Sequence, residues 1–249
     1  MAIKGILFDK DDTIIDLETF WREPVRRLAV FLAQNCDQAE NGRLIGALEA
    51  AAGFSGGKLI PESPVAAGTN WDVLSACAAV LRAAGVSVEE PLLEMGVHYL
   101  EYACTRYGQV LGKADFSVLL PALKQNGCYL GVATSDSYGP AMHCLKALQI
   151  DGYFDLVLAA DRVERAKPAP DMARIFCETF GLAPREVCMV GDSGNDMRFA
   201  ANSGLWGVLF APCAPDRPPA GTDRVICDLR ELTALCTGPD GLLQKAHKA

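Results

Sequence analysis

Gly5-Ile6-Leu7-Phe8-Asp9-Lys10-Asp11-Asp12-Thr13-Ile14-Ile15-Asp16 is the stretch whose reading decides the fold. An apolar run from Ile6 to Phe8 stops at three carboxylates within four residues, Asp9, Asp11 and Asp12, followed by Thr13. A buried strand does not tolerate clustered negative charge unless a cation compensates it. The pattern predicts a strand over residues 3–9 that carries Asp9 and Asp11 to its carboxyl end, where open α/β sheets place their ligands. Carboxylates this close call for a divalent metal, shared protons, or both.

Beyond residue 109, short apolar runs alternate with helical periodicity. Strands are expected at 129–133, 156–159, 187–190, 206–210 and near 224–227, with helices at about 116–125, 139–148, 170–180 and 195–202 between them. Such alternation implies a parallel sheet with helices on both faces. The stretch between the first strand and this series is different. Helical spacing covers residues 17–36, 41–52, 70–84 and 88–107, Asp16 suits the N-cap of the first helix, and the Gly-, Pro- and Ser-rich segment 53–64 is expected to be a loop. No strand is expected between residues 17 and 109. The organisation is therefore an α/β core of residues 1–16 and 110–249 interrupted by an all-helical insert, 17–109.

Composition narrows the function classes. The 249 residues carry a net charge of −8, which argues against general binding to nucleic acid or anionic membranes, since both need basic surface. An anionic substrate must then be attracted locally, by a metal or by particular Lys and Arg side chains. The 10 cysteines are scattered through apolar runs without a C-x-x-C pair, and the chain passes from Met1-Ala2-Ile3-Lys4 straight into a strand. The expectation is reduced, mostly buried thiols in a cytoplasmic protein. No apolar run reaches the roughly 18–20 residues of a membrane span.

Four expected strand ends carry polar residues that could meet. They are Asp9/Asp11/Thr13; Thr134-Ser135-Asp136-Ser137; Lys167-Pro168-Ala169-Pro170-Asp171; and Gly191-Asp192-Ser193-Gly194-Asn195-Asp196. Together they have the parts for phosphoryl transfer through an aspartyl-phosphate. One carboxylate can be the nucleophile, and a second, two residues on, can protonate the leaving oxygen and then activate water. Hard oxygen ligands from two loops suit Mg²⁺, and a lysine would help neutralise the transferred group. Hydroxyl and N–H groups at Thr134 and Ser135 would hold its other oxygens.

Asp9-x-Asp11-x-Thr13, Thr134, Lys167-Pro168 and Gly191-Asp192-x-x-x-Asp196, in that order, resemble the motif set of the haloacid dehalogenase (HAD) superfamily. The insert after the first motif is similar to its C1 cap class, and Lys167-Pro168-Ala169-Pro170-Asp171 resembles the phosphoglycolate phosphatase-like branch. The resemblance implies a Rossmann-like core with a helical cap and a Mg²⁺-dependent phosphatase acting on a small phosphorylated metabolite. It implies Asp9 as nucleophile and metal ligand, and Asp11 as general acid/base with its backbone carbonyl on the metal. Asp192 would be a further metal ligand, supported by Asp196 from the second coordination shell or through water. Thr134, Ser135 and Lys167 would be the phosphoryl-binding groups. An acid at position 11 favours phosphate-ester chemistry over dehalogenation.

Two positions depart from the family pattern: Asp12 stands where glycine is usual, and Ser135 where asparagine often follows the threonine. Several side chains stay open between roles. Lys10 is read equally as steering an anionic substrate or pointing into solvent. Lys58, in the expected insert loop, is read as a leaving-group contact or a solvated lysine. Asp171 reads as a first-turn helix charge, Asp136 as a turn residue in preference to an acceptor of hydrogen bonds near the site, Trp21 and Trp71 as packing in preference to lining of the insert's face, and His98 and His143 as surface or core residues. Alternative functions are a phosphomutase and a non-catalytic Mg²⁺/phosphate-binding signalling module. No G-x-G-x-x-G follows the first strand, which sets aside a dinucleotide oxidoreductase. The sequence leaves oligomeric state open.

Overall fold

The computed structural model describes residues 3–36 and 41–237. The chain divides into two compact units, one of Met1–Ile15 with Gly112–Ala249 and one of Asp16–Leu111.

The first unit is built on a six-stranded, all-parallel sheet. Its strands are β1 (Gly5–Phe8), β4 (Tyr129–Ala133), β5 (Leu156–Leu158), β6 (Val187–Gly191), β7 (Trp206–Phe210) and β8 (Arg224–Ile226), with β2 and β3 lying in the second unit. The spatial order is β5-β4-β1-β6-β7-β8. β1 and β6 are buried along their whole length, which explains their unbroken apolar sequences, Gly5-Ile6-Leu7-Phe8 and Val187-Cys188-Met189-Val190-Gly191. Connections leave β1 toward β4 on one side and return to β6 on the other. The strand order therefore reverses at β1, and the crevice beyond the carboxyl ends of β4, β1 and β6 is where such a sheet takes a ligand.

Among the described residues this unit carries the α-helices α6 (Phe116–Gln125), α7 (Tyr138–Ala147), α8 (Asp171–Phe180), α9 (Gly194–Ser203) and α10 (Leu232–Thr237). One apolar core joins Leu7, Ala133 and Met189 of the sheet to Met172 and Phe176 of α8 and Phe199 of α9. Phe176 requires two glycines beneath it. A Cβ at Gly5 would stand 2.8 Å from its ring, and one at Gly131, on the neighbouring strand, 2.7 Å.

The second unit contains α1 (Leu17–Asn35), α2 (Gly42–Ala52), α3 (Pro64–Ala67), α4 (Asn70–Ala83) and α5 (Glu90–Tyr107). Asp16 caps α1 by accepting from the Thr19 N–H, Asn41 caps α2 through the Leu44 N–H, and Thr69 with Asp72 forms a capping box on α4. Phe20, Trp21, Val25, Leu28 and Leu32 line the buried face of α1, which packs on α5 and α2.

This unit is not all-helical, as the sequence suggested. Within the supposed loop, β2 (Phe54–Ser55) and β3 (Lys58–Leu59) pair as an antiparallel hairpin, and α3 follows directly. Gly56 and Gly57 turn the hairpin with φ of +58° and +77°, the positive pair that a type I′ hairpin turn demands. No described helix is long and apolar enough to cross a membrane.

Candidate active site

Asp9 leaves β1 in register, its N–H donating to the Val190 carbonyl at 2.8 Å. The ladder thus places the Asp9 carboxylate beside the end of β6. There the chain turns through Gly191 and half-buried Asp192 into α9, with Ser193 as N-cap. Ser193 and Asp196 form a capping box in which the Ser193 hydroxyl donates to Asp196 Oδ2 at 2.6 Å and its N–H donates to the same oxygen at 3.2 Å. The box folds Asp196 back over Gly191, where a Cβ would overlap its carboxylate. The other oxygen, Asp196 Oδ1, accepts from Lys167 Nζ at 2.6 Å, and the same amine donates to Asp9 Oδ1 at 2.6 Å.

Asp9, Asp192 and Asp196 each offer a carboxylate oxygen, and these oxygens lie within 4.8 Å of one another. Three carboxylates converge while one ammonium pairs with two of them, so negative charge is in excess. Burial first, then Asp196, pushes the Asp9 carboxyl up to about 7, despite the opposing pull of Lys167. Burial and the carboxylates of Asp196, Asp9 and Asp12 push Asp192 up to about 9. Burial works against the Lys167 ammonium, but Asp196 and Asp9 outweigh it and hold the amine charged. The donor set fits a hard divalent cation: oxygen ligands only, converging from two strand ends, with a charge deficit that one lysine leaves unmet.

Asp11 sits at the edge of this group, not among the three converging carboxylates. Its Oδ1 accepts from Lys10 Nζ at 2.7 Å. Lys10 itself is 0% exposed, which corrects both sequence readings of it: it neither faces solvent nor waits for a substrate. Its second partner is Asp136 Oδ2 at 3.3 Å. Asp136 is buried, and the loop after β4 fixes it: its Oδ1 accepts the Ser137 N–H at 2.7 Å and its own N–H donates to Thr134 Oγ1 at 3.1 Å. Asp136 sits in the bend between β4 and α7, where it also anchors a buried cation.

Thr134 is buried at the end of β4, its N–H donating to the Leu158 carbonyl at 3.0 Å, and Ser135 beside it is half-buried. Asp12 adopts φ +51° and accepts from Lys113 Nζ at 2.9 Å. Asp171 opens α8 and makes paired bonds with Arg165, both at 2.9 Å. Lys58 is exposed on β3 in the second unit. Trp21 is buried, Trp71 and His98 are exposed, and His143 is half-buried.

The pairing of Lys10 with Asp136, the room left by Gly191 and the contribution of Lys113 were not foreseen. For Gly191 a signal existed, since a glycine between a buried strand and an Asp-x-x-x-Asp turn leaves room for a returning side chain. The Lys10–Asp136 and Lys113–Asp12 pairs join distant segments, and nothing local announces them.

A six-stranded parallel sheet that gathers carboxylates and a lysine at its reversal point defines a Rossmann-like α/β core with its ligand site at the strand ends. The haloacid dehalogenase-like hydrolase family model matches residues 3–204, and the chain belongs to that family. It is 36% identical over 111 residues to the probable phosphatase IndB of Dickeya dadantii (strain 3937), which is 44% of this chain and 48% of that protein. It is 35% identical over 103 residues to the phosphoglycolate phosphatase of Escherichia coli (strain K12), 39% of this chain and 41% of that protein. The matches thus span about half or less of these relatives' lengths. The crystal structure of a predicted phosphoglycolate phosphatase from Haemophilus somnus 129pt superimposes with a TM-score of 0.66 at 19% identity, covering 93% of this chain and 97% of that one, and so shares the fold.

Proposed function

We propose that the chain is a Mg²⁺-dependent phosphatase that hydrolyses a small phosphorylated metabolite, phosphoglycolate-like in size and charge, through an aspartyl-phosphate on Asp9. The observation that carries this reading is the convergence of the Asp9, Asp192 and Asp196 carboxylates within 4.8 Å of one another, with Lys167 bonded to both Asp9 and Asp196. Family membership and the phosphatase names of its relatives support it.

Asp9 supplies a carboxylate oxygen as nucleophile toward phosphorus. Lys167, held charged by its two carboxylate partners, orients Asp9 and offers positive charge to the phosphoryl oxygens. Thr134 and Ser135, on the loop after β4, bind the remaining oxygens. Asp11, two residues beyond the nucleophile, hands a proton to the leaving oxygen and then takes one from the attacking water. Asp9 and Asp192 would hold Mg²⁺, together with the Asp11 backbone carbonyl and with Asp196 beside them. When bound, the ion supplies the charge the cluster lacks and offsets the negative charge of phosphate and carboxylates. The insertion of the helical unit directly after the first motif supports its assignment to the C1 cap class.

The test is turnover of p-nitrophenyl phosphate and of a panel of small phosphometabolites that includes phosphoglycolate, with Mg²⁺ and with EDTA. Mg²⁺-dependent turnover that EDTA abolishes, with preference for a short anionic substrate, is expected. Turnover unaffected by EDTA rejects the metal site. Absence of turnover across the panel favours a binding module.

A further inference from the structure

We propose that Lys10 is a positioning residue that holds the Asp11 carboxylate in its working orientation, with Asp136 as the anchor of Lys10. The proposal rests on Asp11 being the general acid/base of the reaction proposed above.

Residue 10 lies between the two acids that do the chemistry, yet its side chain runs into the protein. The ammonium is 0% exposed, 2.7 Å from Asp11 Oδ1 and 3.3 Å from Asp136 Oδ2. A buried ammonium persists only where carboxylates compensate it, so the pairing is required and its geometry is constrained from both ends. Asp136 is fixed by its own hydrogen bonds to Ser137 and Thr134. Lys10 therefore ties the loop that carries Asp11 to the loop that carries Thr134. That tie sets the position of the proton-transfer group relative to the residues proposed to hold the phosphoryl group.

Without the ammonium, Asp11 and Asp136 would face each other as like charges across the space it leaves. Asp11 would then swing away from a fixed orientation. Proton transfer depends steeply on that orientation, whereas nucleophilic attack by Asp9 does not use it. Lys10 is thus distinguishable from a residue that merely supports the fold. Its loss must hurt poor leaving groups, which need the proton, more than good ones, which do not.

The experiment compares wild type, Lys10→Met and the double variant Lys10→Met/Asp136→Asn on phenyl phosphate and 2,4-dinitrophenyl phosphate, with Mg²⁺. The double variant removes both buried charges, so it keeps the test alive if the single variant leaves Asp136 stranded and fails to fold. Expected in both is a kcat/KM loss, which reports the phosphoryl-transfer step alone, of about tenfold or more on phenyl phosphate, well under the full contribution of a general acid, and at most about threefold on the dinitrophenyl ester. The later hydrolysis of the aspartyl-phosphate, common to both esters, slows equally because Asp11 activates its water. An equal kcat/KM loss on both esters, or no loss on either, overturns the proposal. Crystal structures of wild type and the double variant give a second readout that needs no turnover. Asp11 ordered against Lys10 in wild type and displaced or multiply placed in the variant supports the positioning role; an unmoved Asp11 rejects it. Wild type inactive on both esters counts against the phosphatase reading, and the structures still decide the role of Lys10.

Discussion

Lys167 Nζ stands 2.6 Å from Asp9 Oδ1, and the same amine stands 2.6 Å from Asp196 Oδ1. One buried ammonium therefore serves the proposed nucleophile and the capping acid of α9 together. Replacing it by Met leaves two buried carboxylates without a cation. In EDTA, Lys167→Met should lose about 3–5 kcal/mol of stability in urea denaturation, the usual consequence of stranding a buried charge. Mg²⁺ should restore part of that loss, and turnover should fall by about 100-fold or more, the scale of removing an electrostatic stabiliser.

The charge deficit predicts a pH dependence for the metal-free protein. Asp9 is raised from 3.8 to about 7 and Asp192 from 3.8 to about 9. Acids whose carboxyl groups hold protons more tightly when folded contribute stability that is complete below about pH 3.8 and lost as pH rises through about 7 and then about 9. The melting temperature in EDTA should therefore decline from about pH 4, most steeply up to about pH 7 where both groups contribute, and level off near about pH 9. The Mg²⁺-induced rise should be larger at about pH 8.5 than at about pH 5.5, because the ion favours ionised ligands. A Mg²⁺ effect that shrinks with rising pH would argue against these carboxylates as ligands.

Gly191→Ala tests the returning carboxylate. The added Cβ occupies the place of the Asp196 carboxylate, so Asp196 must leave Lys167 or α9 must shift. The expected result is a weaker response of melting temperature to Mg²⁺ and turnover lowered by at least about tenfold, as for misplaced catalytic groups. Unchanged Mg²⁺ response would show that Asp196 contributes nothing at the metal.

Asp12 accounts for its departure from the family pattern through backbone and charge. Its φ of +51° is the region glycine enters freely and aspartate tolerates better than most residues, and Lys113 pairs with its carboxylate. Asp12→Gly relieves the backbone and gives up a part-exposed ion pair, so stability should change by less than about 1 kcal/mol. Asp12→Val, with a β-branched side chain at positive φ, should lose about 1–3 kcal/mol. Thermal denaturation of the two variants checks the contrast.

The sequence showed β1 and its acids because an apolar run ending in carboxylates can satisfy few structures. The parallel sheet was legible in the same way, from apolar runs separated by helical periodicity. The β2–β3 hairpin was not, since two-residue strands are shorter than any periodicity and Gly56-Gly57 reads equally as loop. The burial of Lys10 was hidden for a different reason. A lysine between two aspartates looks like surface, and Asp136, the residue that draws it inward, lies on another strand's loop. Sequence spacing could place Asp9 and Asp192 at strand ends, whereas Lys167, expected at a strand end, lies in the loop before α8, well beyond β5, and Asp196 in the first turn of α9; the distances among them belong to the tertiary fold.

The central claim is that Asp9 carries the phosphoryl group. The most direct measurement is acid-quenched peptide mass spectrometry of the Asp11→Asn variant after mixing with Mg²⁺ and 2,4-dinitrophenyl phosphate, a leaving group that needs no proton for the first step. The account predicts one added phosphoryl group on the peptide containing Asp9, absent in EDTA and absent when Asp9 is also changed to Asn. Turnover by wild type with no such adduct, or an adduct that persists in Asp9→Asn, would contradict it.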